Sequence, residues 1–436
     1  MKKLLFFYKE LIATFWFVPV LIIILSVVLS MGLVSLDNYV EIPQESWFSF
    51  FLVNSTDSAR SILSTISAAM IGVAGTVFSV TLVALTLASS QFGPRLIKNF
   101  MYVRLNQIVL GSYVATYLYC LLVLNAIKDG SDYTFIPSLS ILLAIIAAVA
   151  NIILLIVFIH QIATSIQADK IIADISDFIS QQVKTLFPEK MGEEIDENDS
   201  VDISSVKADF KNIVPIKSIK SGYLQYVDSE NLMEFITEHD AFFRLYHRPG
   251  SYLVGGMKIG ELYANKSMEK DKIEKILDQF LIEKTKTSQQ DLEFSIHQMV
   301  EIAARALSPG VNDPYTAITC IDNLTNIMSY LAQVKFPSRY RYDDEGKLRI
   351  VADVLDFEGV LDAAFNQIRQ FSGGSTAVII RLMEALIIIQ GFTIKDKHKK
   401  AVIKHAEMVL NKGKQTINEE NDIKDLLERA KKILKQ

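Results

Sequence analysis

Residues 62–88 read ILSTISAAMIGVAGTVFSVTLVALTLA, with no Asp, Glu, Lys or Arg. A helix of about 20 apolar residues crosses a hydrocarbon core while satisfying its own backbone, and a stretch this long and this uncharged belongs in one. Three further runs, 11–34, 108–127 and 136–163, meet the same test. The chain opens Met1-Lys2-Lys3 before the first of them, but that run is long enough to span and lacks a small-residue cleavage site, so it reads as an anchor.

Half of the 436 residues are hydrophobic, and almost all of the excess lies before Thr164. The composition therefore divides the chain into a four-helix transmembrane domain over 1–165 and an ordinary water-exposed remainder. That remainder reads as α+β: a helix, acidic linker and small β-rich subdomain over 166–290, then a helical bundle over 291–436. The expected fold class is a membrane protein, mainly α, with a small β-hairpin sheet beside the bundle.

The connecting charges set the expected orientation, because short basic loops stay cytoplasmic. Lys2, Lys3 and Lys9 precede the first span, and Arg95, Lys98 and Arg104 follow the second. Asp37, Glu41, Glu45 and Asp57 dominate the first loop, and Asp129 and Asp132 the third, so both termini are expected inside. The net charge of -5 offers no concentrated basic face for nucleic acid. Two cysteines, Cys120 and Cys320, make neither a disulfide framework nor a metal cluster and read as buried thiols.

The second span is crowded with small and hydroxyl residues. At helical spacing Ala68, Gly72, Thr76, Ser79, Thr86 and Ser90 share one side. Two readings stay open: a seam where helices pack closely, within the bundle or between subunits, or a hydroxyl lining for a permeation path, with Gly72, Thr76, Ser79, Thr86 and Ser90 facing it. Gly93-Pro94 should then stop the helix, and Arg95, Lys98 and Arg104 face anionic headgroups or ring a pore mouth. Elsewhere in the spans Asn151 reads as interhelical glue, and His160 sits near the interface.

Beyond the membrane, 167–185 is amphipathic and reads as a continuation of the fourth span, ended by Pro188. The acidic stretch 192–205 lacks the ligand spacing of a calcium loop and reads as a linker. Strand character runs over 217–227, and a short helix is expected over 229–238. Pro249-Gly250 and Gly255-Gly256 then mark tight turns. That glycine spacing resembles one hairpin of a biotinyl or lipoyl domain, with Met257-Lys258 at the matching place. The partner hairpin is missing, so Lys258 is read as a surface lysine.

Helices are expected over 291–307, from Asp313-Pro314 to Ala332, and over 357–370, 375–390, 396–410 and 419–434, an all-helical bundle. The first two are joined by the most distinctive string in the chain, Arg305-Ala306-Leu307-Ser308-Pro309-Gly310-Val311-Asn312-Asp313-Pro314. Asp313 can cap the free amides of the next helix, with Pro314 in its first turn. His297, Glu301 and Arg305 follow at i+4 steps on one face, near which Asp313 could fold back. That is not an H-E-x-x-H arrangement and it has no third ligand. With no phosphate loop, dinucleotide fingerprint or nucleophile elbow, the reading is of a non-enzyme without metal or cofactor.

The 305–317 string, the Ser90-Gln91-Phe92-Gly93-Pro94-Arg95 junction and Leu110-Gly111 resemble a family of bacterial predicted membrane proteins, domain of unknown function 2254; this chain has Gly93 where such families usually show Ser. The resemblance covers nearly the whole chain. It implies a bacterial inner-membrane protein with this four-span layout, and no activity or substrate. The functional expectation is a homo-oligomeric channel-like protein in the lipid bilayer, passing an inorganic ion and gated or assembled by its cytosolic part. The alternative is a non-conducting scaffold or sensor.

Overall fold

The computed structural model describes residues 14–39, 53, 55–93, 104–129, 134–165, 167–186, 203–287 and 290–434. The chain forms two compact units, Met1–Lys170 and Ile171–Gln436.

The first unit holds four long apolar helices: α1 Phe17–Asp37, α2 Thr56–Phe92, α3 Arg104–Ala126 and α4 Ser138–Ser165. All four expected spans are present, with ends displaced by a few residues. A two-residue hairpin, β1 Lys128–Asp129 with β2 Thr134–Phe135, joins α3 to α4 and has no counterpart in the sequence reading.

α3 is the most buried span. Gly111 makes the closest helix contact possible: a Cβ there would stand 2.8 Å from the Pro19 Cα of α1. Packing of this kind replaces the hydrophobic force that helices lack inside lipid. Asn151 of α4 is fully buried. It accepts from Ser112 Oγ at 2.6 Å and donates to Thr116 Oγ1 at 2.8 Å, while Tyr113 Oη donates to its carbonyl at 2.7 Å. It is the interhelical glue that its position predicts. Asp37, at the end of α1, accepts from the Leu139 and Ser140 amides at 2.9 and 3.0 Å and from Ser140 Oγ at 2.6 Å. These are first-turn donors of α4 that the helix itself leaves unsatisfied.

α5 Ala168–Leu186 is a separate helix, not an extension of the fourth span. α4 ends at Ser165, and the Gln167 amide donates back to Thr164 O at 3.2 Å, closing a turn. The expected acidic linker lies almost wholly outside the described residues.

The short α6 Ile203–Ala208 leads into β3 Asn212–Lys217, β4 Gly222–Val227, α7 Ser229–Glu238, β5 Phe242–Leu245, β6 Tyr252–Leu253, β7 Lys258–Ala264, α8 Lys270–Leu277 and β8 Phe280–Glu283. The single strand expected over 217–227 is thus two, parted by a turn at 218–221. β9 Tyr340–Tyr342 and β10 Leu348–Val351 come much later in the chain. They complete a five-stranded sheet, β3-β7-β5-β10-β9, beside a three-stranded one, β6-β4-β8. β10 pairs with β5 in parallel. Ile216, Phe243, Leu262, Leu224, Leu253 and Ile282 form the core of this β region. Phe242, one residue along, packs on the other face with Tyr263, Leu348 and Val351, as strand alternation requires.

The bundle comprises α9 Leu292–Ala306, α10 Pro314–Leu331, α11 Phe357–Phe371, α12 Thr376–Phe392, α13 Asp396–Thr416 and α14 Glu420–Leu434. Its helices follow the expected periodicity closely. The all-helical expectation fails at β9 and β10, which the five-stranded sheet recruits.

Candidate functional site on the second span

The buried positions of α2 are Ala59, Leu63, Ser67, Met70, Ala74, Val77, Thr81, Ala84 and Ala88. They recur at three- and four-residue steps and pack on neighbouring helices of the bundle. At 100° per residue, Gly72, Ser79, Thr86 and Ser90 fall within about 30° of the opposite direction, and Gly75 and Thr76 about 50° from it. All of them are exposed. A Cβ at Gly72 or Gly75 would meet nothing within 4 Å. The small-residue stripe is therefore not a seam within this bundle; it faces out of it, interrupted by exposed Val83.

The hydroxyl protons of Thr76, Thr86 and Ser90 are turned back on their own helix. Thr76 Oγ1 donates to Gly72 O at 3.3 Å, Thr86 Oγ1 to Leu82 O at 2.9 Å and Ser90 Oγ to Leu87 O at 2.8 Å. What they leave on the outward side is oxygen lone pairs, a surface able to accept from water or coordinate a cation. Gly93 ends the helix: its amide reaches Ser89 O at 3.1 Å with φ at 103°, a conformation that only glycine adopts without strain. Arg104 opens α3 and is exposed, while Arg95 and Lys98 lie outside the described residues.

The 305–317 motif builds a capped turn. Asp313 accepts from the Thr316 amide at 3.1 Å and from Thr316 Oγ1 at 2.6 Å, which holds its carboxyl below the usual carboxylate range. Pro314 sits in the first turn of α10, and Asn312 takes the left-handed conformation at φ 51°. Ser308 Oγ donates to Arg305 O at 2.6 Å. Pro309 and Gly310 are exposed at the tip. Asp313 thus serves the helix start and does not fold back on His297 and Glu301. Among the described residues no three His, Cys, Asp or Glu are grouped to hold a metal.

A cleft in the second unit escaped the sequence reading. It encloses about 260 Å³ and is lined by Leu232, Met233, Pro249, Arg248, Asp291, Glu293 and Asp353, among others. Arg248 donates to Glu293 at 2.6 Å and lies 3.7 Å from Asp353. Asp291 caps α9 through the Phe294 amide at 3.0 Å, and burial pushes its carboxyl up. The lining runs from Leu186 to Leu355, so only the Pro249-Gly250 turn and the helix beginning near Asp291 were visible locally. Lys258 donates to Glu261 at 2.7 Å as a surface lysine; with the Tyr246 and Tyr263 hydroxyls it draws that carboxyl down to about 2.

Four membrane-length helices joined to a mixed α+β unit define a multi-pass helical membrane protein. The chain belongs to the family described as "Predicted membrane protein", domain of unknown function 2254, whose model matches residues 13–387. It is 30% identical over 371 residues to an uncharacterized protein of Mycobacterium tuberculosis (strain CDC 1551 / Oshkosh), covering 84% of this chain and 70% of the relative. An uncharacterized protein of Mycobacterium bovis matches with the same identity and coverage. No solved structure matches the chain.

Proposed function

We propose that the protein is a homo-oligomer of the bacterial inner membrane, termini in the cytoplasm, whose copies bring the outward faces of α2 together around a narrow ion path. The second unit, cytosolic in this reading, assembles or gates it, and no turnover is involved. One observation carries the reading. α1 and α4 turn large aliphatics outward, among them Leu25 at 65%, Val28 at 62% and Ile156 at 65% exposed, whereas the outward side of α2 carries, between exposed Ile71, Phe78, Val80, Leu82 and Leu87, a strip of glycine and hydroxyls broken only by Val83. Lipid tails favour the first surface and gain nothing from the second, while a helix of another copy can approach the second closely. The acceptor character of the lining favours a cation, and Arg95, Lys98 and Arg104 belong to its inner mouth.

The test has two parts. Cysteines at Ser79 should cross-link copies in native membranes, and reconstituted protein should pass cations above the level of empty vesicles. Cross-linking without flux refutes the path and leaves the assembly; neither result leaves nothing of the reading. The scaffold or sensor alternative draws support from the self-bonded hydroxyls, which need no ion, and from the charged cleft around Arg248 and Asp291. In that case α2 is a seam between copies and nothing flows.

A further inference from the structure

Two turns of the β region lie side by side. The chain leaves β3 of the larger sheet for β4 of the smaller through 218–221, and returns from β6 to β7 through 254–257. The turns are bonded to each other: the Ser218 amide donates to Met257 O at 2.8 Å, the Gly256 amide to Ser218 O at 2.8 Å and the Gly255 amide to Ser221 Oγ at 2.9 Å. Gly256, at φ 84°, allows the return. The tip is therefore a braced piece of backbone.

Its side chains are unusual for turns, which ordinarily carry polar residues. Ile219 is 78% exposed, Val254 54% and Met257 38%. Tyr252, also exposed, stands edge-on to Tyr223 with ring centroids 5.0 Å apart. Around them are exposed Lys217, Lys220, Lys258 and Lys284. Lys220 reaches Glu283 at 3.5 Å and Lys258 reaches Glu261 at 2.7 Å, so the lysines outnumber the carboxylates beside them.

We propose that this tip seats on an anionic bilayer surface, its aliphatic side chains entering the headgroup boundary, Tyr252 at headgroup level and the lysines against lipid phosphates. A second copy is the poorer occupant, because a two-fold pairing would set like-charged lysine rings against each other. The chain is anchored in a bilayer by its four spans, so lipid is present at high effective concentration. The inference is independent of whether α2 lines a path.

Cys120 and Cys320 are fully buried, so Ile219→Cys in the full chain offers a single reactive thiol for a polarity-sensitive fluorophore. The labelled protein is reconstituted at about one assembly per vesicle in phosphatidylglycerol-rich or pure phosphatidylcholine membranes. Blue-shifted emission quenched by lipid-borne quenchers is expected in the anionic vesicles. It should be lost at high salt and in the K217E/K220E/K284E variant, whose emission in detergent should match that of the parent. Water-like emission in both vesicle types overturns the proposal. So does a blue shift that persists in neutral vesicles and in detergent, which would report burial against another copy.

Discussion

The outward faces of α1, α2 and α4 belong to one bundle, yet the middle of the α2 face is built from different material. α1 and α4 show Leu, Ile, Val and Met to the outside; α2 shows a strip of Gly, Ser and Thr flanked by exposed Ile71, Phe78, Val80, Leu82 and Leu87. In water such a contrast would separate core from surface. In lipid, helix association depends on close approach rather than on burying oil from water, so such a strip suits contact with another helix better than contact with acyl chains.

The sharpest way to break the comparison is Gly72→Leu. Nothing within one chain occupies that space, so the fold should survive while the particle mass in detergent falls to that of a single chain; Ile24→Leu on α1 should leave the mass unchanged. An unchanged mass for Gly72→Leu would remove the distinction between the faces. Gly111→Val tests the same residue type on an inward face. There the Pro19 backbone blocks a side chain, and a loss of roughly 1–3 kcal/mol in thermal or denaturant unfolding is expected. Asn151→Leu should cost about 1–2 kcal/mol by the same assay, since Ser112 and Thr116 lose their shared partner, with assembly unaffected.

Acid provides a control. His405, buried between α11 and α13 against Asp362 at 3.0 Å, has its pKa lowered by that burial, partly opposed by the Asp362 charge. Its stabilising contribution is complete above the ordinary histidine pKa near 6.5 and shrinks as pH falls below it, because the unfolded chain takes up the proton more readily. Melting of the second unit should therefore move to lower temperature between pH 7 and 5, less steeply in His405→Gln. The outward face of α2 carries no titrating group between Ser61 and Ser90, so particle mass should stay constant over the same range. The smallest change in stability is expected for Thr76→Val, since the deleted hydroxyl bonds only its own helix. A fall in cation flux without loss of assembly would favour the path over the seam.

The stripe on α2 was legible in the sequence, but its direction was not. The packed face of the same helix carries Ser67, Ala74, Thr81, Ala84 and Ala88, so both faces are small and polar enough to serve either purpose. Only the packing of the bundle decides between them. The four spans and the Asp313-Pro314 helix start were plain because their signals are local: unbroken hydropathy, and an N-cap followed by proline. β10 was hidden because Arg349 breaks the apolar run Leu348–Val351. That arginine is buried only because Asp343 at 2.6 Å and Asp240 at 2.7 Å, both outside the strand, neutralise it. Its parallel partner β5 lies about a hundred residues earlier, beyond any periodicity test.

α2 continues for 37 residues before Gly93 stops it. At about 1.5 Å per residue that is roughly 55 Å of rod, against a hydrocarbon slab of about 30 Å. Even strongly tilted, the rod overhangs the oil, so a ring of such rods would begin and end as a water-filled vestibule, and an entering ion would meet the hydroxyl oxygens before it left bulk solvent.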